Sequence, residues 1–296
     1  MRANVHVCTG RQAGKGVRGR KTDRLSILAP AEPGLGRTGV NQGHSSVGGE
    51  ELVLSPQQLQ QYRTSGYAIG DRLMAGAALA ELRCHMDARI AALPLGQRPE
   101  NMPSLHYDDA YLCALFLSEP FLDIAEQILG SDLALFTSYA ISKQPRDGLP
   151  VAWHQDAAFF PISPMDTFTL WLAVDDSTRQ NGCMQVVTGS HRPRRILNHR
   201  VDQSGSTVLA LQLADLGPTD PIDIEVTAGG LSVHDPFILH GSPPNRSGQR
   251  RCGITIKYVS TSIRLDRSFV SPTGFDWRGV RLYHARGARG RLDYVN

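Results

Sequence analysis

His154 and Asp156 stand two positions apart in the stretch V-A-W-H-Q-D-A-A-F-F. In an extended chain, residues i and i+2 point to the same face. One imidazole and one carboxylate can then converge on a point, which is two of the three ligands of a non-haem iron site. With ten histidines in 296 residues, an H-x-D pair also arises by chance, and a surface loop would accommodate it equally well. The pair gains meaning from residues further along. His240 closes a short apolar stretch 86 residues after His154 and can supply the third ligand. Two histidines and one carboxylate on one face of a metal leave three positions open, enough for a bidentate 2-oxo acid and dioxygen. Arg251 follows eleven residues after His240, near the start of another apolar run. A guanidinium there suits a two-pronged pair with the distal carboxylate of 2-oxoglutarate. Ser242, two residues beyond His240, shares its face and offers a hydroxyl.

These residues need a scaffold of strands. From residue 133 onward the hydrophobic period is two, with expected strands at 133–143, 168–174, 184–187, 222–226, 231–234, 238–240 and 253–260. Turn signals separate them, including Pro161, Pro164, Asn181-Gly182, Gly189-Ser190, Gly229-Gly230 and Pro243-Pro244. Before residue 133 the pattern is helical. Ser55-Pro56 opens a short helix to Thr64, with Gly66 ending it, and further helices are expected over 73–93, 108–116 and 120–129. Many short strands after a helical opening imply a mainly β jelly roll with helices packed on the outside of one sheet.

Composition narrows the class. A hydrophobic content of 41% supports one sizeable core. The five cysteines are scattered, odd in number and without C-x-x-C, as expected of reduced thiols in a cytoplasmic protein. No apolar run reaches the length of a membrane span, and the first thirty residues lack the apolar segment of a signal peptide. The formal charge of +3 is concentrated at the start: residues 1–24 carry a net +6, leaving −3 for the remainder. A general nucleic-acid role for the domain is therefore unsupported. Residues 1–50 are rich in Gly, Arg and Ser and are expected to be a disordered basic tail, with residues 51–296 forming the domain. Nothing in the sequence specifies an oligomeric state.

Other polar residues weigh less. His191, in G-S-H, suits a turn better than a metal. His234 is expected to face away from His240 or to neighbour it without being a ligand. Asp235 and Pro236 shape the bend before Phe237, and Asn181-Gly182 has the form of a hairpin turn. Cys183 and Cys252 read as small buried hydrophobes. Phe159 and Phe160 either line a substrate mouth or join the core.

Three stretches occur in order: W-H-Q-D-A-A-F-F-P-I-S-P, N-G-C-M-Q-V-V-T-G-S-H and H-G-S-P-P-N-R-S-G-Q-R-R. Together with Gly66-Tyr67 after a short helix, they resemble the phytanoyl-CoA dioxygenase family of iron(II)/2-oxoglutarate oxygenases, over about residues 52–262. The resemblance implies a double-stranded β-helix. It implies His154, Asp156 and His240 as iron(II) ligands, and Arg251 with Ser242 as the holders of 2-oxoglutarate. Trp171 lies near a family tryptophan that lines the cosubstrate pocket. Lys143 stands where the family often has a lysine, and either reaches the site or is a charge at a strand edge. The implied reaction consumes 2-oxoglutarate and dioxygen, yields succinate and carbon dioxide, and hydroxylates an unactivated carbon. A carboxylate at Asp156 favours hydroxylation over halogenation, with desaturation and ring formation left open. The expected substrate is a small natural product or amino-acid-like metabolite, with a lipid-derived acyl chain second. A jelly-roll sensor that keeps the metal without turnover is the alternative of a different class.

Overall fold

The computed structural model describes residues 54–296 except 218, 291 and 296. The expectation for the basic tail, residues 1–50, lies outside the described residues. The chain opens with α1 (Pro56–Ser65), β1 (Tyr67–Arg72), α2 (Gly76–Ala91), β2 (Met102–Pro103), α3 (Ala110–Phe116) and α4 (Glu119–Leu129). The β-rich part follows with β3 (Leu133–Lys143), β4 (Val151–His154), β5 (Ile162–Ser163), β6 (Thr167–Ala173), β7 (Met184–Val186), β8 (His199–Val201) and β9 (Leu211–Leu213). It ends with β10 (Ile222–Ile224), β11 (Gly230–His234), β12 (His240–Ser242), β13 (Arg251–Ser260), β14 (Arg264–Leu265) and β15 (Tyr283–Arg286).

The strands form a seven-stranded sheet, in order β1-β11-β6-β13-β3-β15 with β2 also on β3, and a four-stranded sheet, β10-β7-β12-β4. All of these pairings are antiparallel. The result is the expected double-stranded β-helix, mainly β with helices on the major sheet.

Alternation along the central strands separates the two faces of that sheet. Phe168, Leu170 and Leu172 of β6 and Cys252, Ile254, Ile256 and Tyr258 of β13 join one large cluster with Leu82 and Met86 of α2, Phe116 of α3 and Phe121 of α4. The intervening residues Trp171 on β6 and Arg251, Thr255 and Lys257 on β13 line a cavity on the other face, where Thr169 of β6 bonds Asp156. The sheet is covered on both sides, which is why β6 is buried at every position. A second apolar cluster joins Trp171 and Ala173 to Met184 and Val186 of β7 and Ile224 of β10, tying the two sheets together.

α1 follows its sequence signals closely. Ser55 accepts from the Gln58 N–H, the Gln58 side chain accepts from the Ser55 N–H, and Gly66 closes the helix at φ 86°. Other boundaries differ from expectation. α2 begins at Gly76 rather than 73, because the Leu73 and Met74 N–H groups donate to the Gly229 carbonyl. Tyr67–Arg72 is an edge strand that the pattern hides, since only Tyr67 and Ala68 are buried. β12 starts at His240, so His240 does not close a strand over 238–240. The Phe237 and Ile238 N–H groups are taken by Asp235, through its side chain and its carbonyl, in a turn after Pro236. Asn181-Gly182 is not a hairpin turn but the end of a 3-10 turn over Arg179–Asn181, with the buried Asn181 side chain bonded within it. No helix among the described residues is long and apolar enough to cross a membrane.

Candidate metal and cosubstrate site

β4 and β12 are neighbours, and their register places His154 directly opposite His240. The two rings lie 4.0 Å apart between centroids. Each Nδ1 donates to a backbone carbonyl two residues earlier: His154 to Ala152 at 2.8 Å and His240 to Ile238 at 3.1 Å. A carbonyl only accepts, so the proton of each neutral ring sits on Nδ1 and the Nε2 lone pair is free. Asp156 begins the 3-10 turn just after β4, with Oδ1 at 3.7 Å from His154 Nε2 and 4.0 Å from His240 Nε2. Ligand atoms of these three residues lie within 4.8 Å of one another, and all three residues are buried.

The other carboxylate oxygen is fully engaged elsewhere. Asp156 Oδ2 accepts from Thr169 Oγ1 at 2.6 Å and lies 3.3 Å from both His234 Nε2 and Lys257 Nζ. This division leaves Oδ1 for a metal and fixes the plane of the carboxylate. Burial alone would raise the Asp156 carboxyl, but Lys257 and the bonds from His154 and His234 prevail and hold it well below the usual carboxylate range. Burial, with His154 and His234 beside it, pushes His240 well below the usual histidine range. An ionised carboxylate and neutral imidazoles are the protonation states a divalent ion requires. Two nitrogen donors and one oxygen donor fit a first-row transition metal with open positions better than calcium or magnesium, which prefer all-oxygen sets.

Arg251 opens β13 and is 2% exposed. Its Nε bonds Ser177 Oγ at 3.2 Å, and its guanidinium carbon lies 4.6 Å above the Trp171 ring. No carboxylate pairs with it among the described residues. Burial pushes its pKa down to about 10, which still leaves it charged at neutral pH. Arg250, one residue earlier, points away and pairs with Asp175 at 2.7 Å and with Asp87. Gly253 gives the Trp171 ring its place: a Cβ there would lie 2.0 Å from Trp171 Cζ2. Gly253→Ala is expected to cost about 1–3 kcal/mol through overpacking, read as a lower denaturation midpoint with an unchanged slope.

Lys143 is Arg251's cross-strand neighbour on β3 and is fully buried, not a charge at a strand edge. Its Nζ donates to Ser242 Oγ and to the Pro243 carbonyl, both at 2.6 Å. Burial, reinforced by Arg251, pushes its pKa down to about 6. It orients the Ser242 hydroxyl, and Ser242 lines the cavity.

The cavity has a volume of about 480 Å³, within the usual range for small-molecule sites. His154, Asp156, His240, Ser242, Arg251 and Trp171 all line it. So do Phe159 and Phe160, both half-buried, and Phe160 also packs on the apolar cluster around Phe136 and Trp277. Residues 208–210, Ser271 and residues 273–275 contribute to its wall. His191 sits elsewhere, bonded to the Arg63 carbonyl beside Gly66. His234 neighbours His240, ring centroids 4.5 Å apart, but meets Asp156 on the oxygen turned from the metal donors. Cys183 and Cys252 are buried. Thr169 and Lys257 do not stand out in the sequence, and their only signal is alternation: each falls on the inner face of its strand.

Residues 47–253 match the family model for phytanoyl-CoA dioxygenase. The chain belongs to the phytanoyl-CoA dioxygenase family. It is 33% identical over 168 residues to a probable alpha-ketoglutarate-dependent hypophosphite dioxygenase of Stutzerimonas stutzeri, covering 55% of this chain and 57% of that one. It is 29% identical over 200 residues to L-proline trans-4-hydroxylase of Streptomyces griseoviridis, covering 57% and 75%. The chain spans about half the length of the first curated relatives it matches. Among solved structures, the apo form of the non-heme monooxygenase ThoJ superposes with a TM-score of 0.63 at 21% identity, covering 80% of this chain and 86% of that one. EctD from S. alaskensis with bound Fe gives 0.60 at 19%, covering 75% and 82%. These superpositions establish that this member of the phytanoyl-CoA dioxygenase family shares their fold.

Proposed function

We propose that this phytanoyl-CoA dioxygenase family member is an iron(II)- and 2-oxoglutarate-dependent dioxygenase that hydroxylates an unactivated carbon of a small metabolite. His154, Asp156 and His240 hold the metal, Arg251 and Ser242 hold the cosubstrate, Trp171 walls its pocket, and Lys143 orients Ser242. One observation carries the reading: three mutually close metal donors share a buried cavity with a guanidinium that has no anionic partner among the described residues. An unpaired buried charge is costly, so its retention points to an anion that binds there. Iron(II) in this donor set supplies dioxygen activation coupled to the decarboxylation of 2-oxoglutarate.

The balance is one substrate C–H, one 2-oxoglutarate and one dioxygen giving one C–OH, one succinate and one carbon dioxide. The chain's own task is to bind and orient. Arg251 grips the distal carboxylate, the Nδ1 bonds fix both imidazoles, and the aromatic wall keeps water out. Two relatives carry names for action on small polar molecules, hypophosphite and L-proline, which supports a small substrate. We place the domain at residues 51–296 and the reaction in the cytoplasm. The latter is supported by the absence of any disulfide among the described residues.

The test is anaerobic reconstitution with iron(II), followed by oxygen and 2-oxoglutarate, with succinate quantified and a metabolite library searched by mass spectrometry for the gain of one oxygen. Metal-dependent succinate formation is expected even before a substrate is found. Succinate formation that is absent, or indifferent to iron, contradicts the proposal.

A further inference from the structure

We propose that Lys257 binds a singly charged oxyanion on the substrate, so that the substrates are small organic oxyanions rather than neutral molecules. This rests on the metal and cosubstrate assignment above.

Lys257 lies on the same face of β13 as Arg251, six residues further along. At about 3.3 Å per residue, the two positions are roughly 20 Å apart along the strand. Its ammonium is almost buried, with the residue 8% exposed, and it lines the cavity. It sits 3.3 Å from Asp156 Oδ2 and 5.6 Å from the centre of the Phe160 ring.

Asp156 pairs with this lysine but leaves it with donors to spare. Its Oδ2 already takes a 2.6 Å bond from Thr169 and faces His234. An ammonium has three donors, and the ion pair with Asp156 is the one contact of Lys257 Nζ with an acceptor among the described residues. Charge leads to the same conclusion. Asp156, Arg251 and Lys257 are the acidic and basic side chains among the residues lining the cavity, the histidines aside. Asp156 offsets one of the two cations, and a divalent ion offsets a dianionic cosubstrate. One positive charge is left over, out of water, in a site that Lys257 lines beside the metal donors. A buried cation in that position is costly until an anion arrives.

The surroundings suit the rest of such a ligand. Phe160 and Trp277 line the same cavity with ring centroids 6.1 Å apart, giving apolar contact beside the charge. The Trp277 indole N–H is buried without a partner among the described residues. The hydroxyl of Thr137, cross-strand from Lys257, makes no hydrogen bond to the described residues. Because Lys257 touches the carboxylate of a metal ligand, the oxidised carbon lies only a few bonds from the anionic group.

Wild-type, Lys257→Met and Lys257→Arg proteins are loaded with iron(II) and 2-oxoglutarate under nitrogen. Each is titrated by calorimetry with butyrate, hexanoate and dimethylphosphinate, and with butyramide and hexanamide as neutral counterparts. The wild type is expected to bind at least one anion more tightly than any amide. Lys257→Met is expected to lose about tenfold or more of that affinity, and Lys257→Arg to keep most of it. A preference for the carboxylates over the phosphinate, or the reverse, identifies which oxyanion the site takes. Failure of every anion to bind, equal binding of acids and amides, or undiminished anion binding by Lys257→Met overturns the proposal. The visible chelate band, recorded in the same samples before titration, reports the metal and cosubstrate assignment independently. A normal band with anion binding indifferent to Lys257 refutes the oxyanion site alone, whereas a missing wild-type band refutes the metal and cosubstrate reading.

Discussion

His240→Ala strips the protein of iron(II). The expected loss of affinity is about 100-fold or more, since removing even an outer-shell partner of a metal ligand typically costs about 10–100-fold and this variant removes the ligand itself. Asp156 and His154 remain, but two donors hold a labile divalent ion poorly. His240 is buried against His154 and His234, so the variant's melting temperature without metal is measured beside the wild type's to separate ligand loss from unfolding. Iron content after gel filtration decides the matter. A folded His240→Ala protein that retains iron at the wild-type level removes this histidine from the ligand set.

The second large effect falls on Arg251. Losing a charge-assisted pair in a desolvated pocket costs about 2–5 kcal/mol, mostly by stranding the partner charge. At about 1.4 kcal/mol per decade, Arg251→Ala weakens 2-oxoglutarate binding roughly 30-fold to several-thousand-fold. Arg251→Lys recovers only part of this, because an ammonium cannot make a two-pronged contact or stack equally well on Trp171. Iron binding survives in both, since the three metal donors are untouched. Arg250 is the internal control. It pairs with Asp175 and Asp87 on the helix side of the sheet, so Arg250→Ala is expected to lower stability and leave 2-oxoglutarate affinity unchanged. The reverse pattern would place the cosubstrate on the other face of β13.

The residues proposed to act are legible in the sequence because strand geometry is local. An i, i+2 pair at a strand end and an arginine near the start of another strand follow from period-two spacing, whereas His240 reads as closing a strand and in the structure opens one. The jelly roll follows from the number and brevity of the strands. Errors arise where tertiary contacts set the boundary. Residues 237 and 238 look like strand, yet their N–H groups are claimed by Asp235. Tyr67–Arg72 looks irregular, yet it pairs with β11 along the sheet edge. Thr169, His234 and Lys257 meet on a single oxygen of Asp156 from positions 13, 78 and 101 residues away in the chain. No local pattern announces such a convergence, because it is created by sheet register. The fate of Lys143 was equally open to sequence reasoning, and the cross-strand pairing with Arg251 decides between burial and an edge position.

The most direct test is the anaerobic titration of the iron(II)-loaded protein with 2-oxoglutarate, followed by visible absorbance. The band arises only when the 2-oxo acid chelates the metal, so it reports both halves of the site at once. We expect it to saturate at one 2-oxoglutarate per chain in the wild type, to be absent in His240→Ala and to require far more cosubstrate in Arg251→Ala. A wild-type protein that binds iron(II) without developing the band, or a band that persists unchanged in Arg251→Ala, contradicts the assignment of this cavity to 2-oxoglutarate.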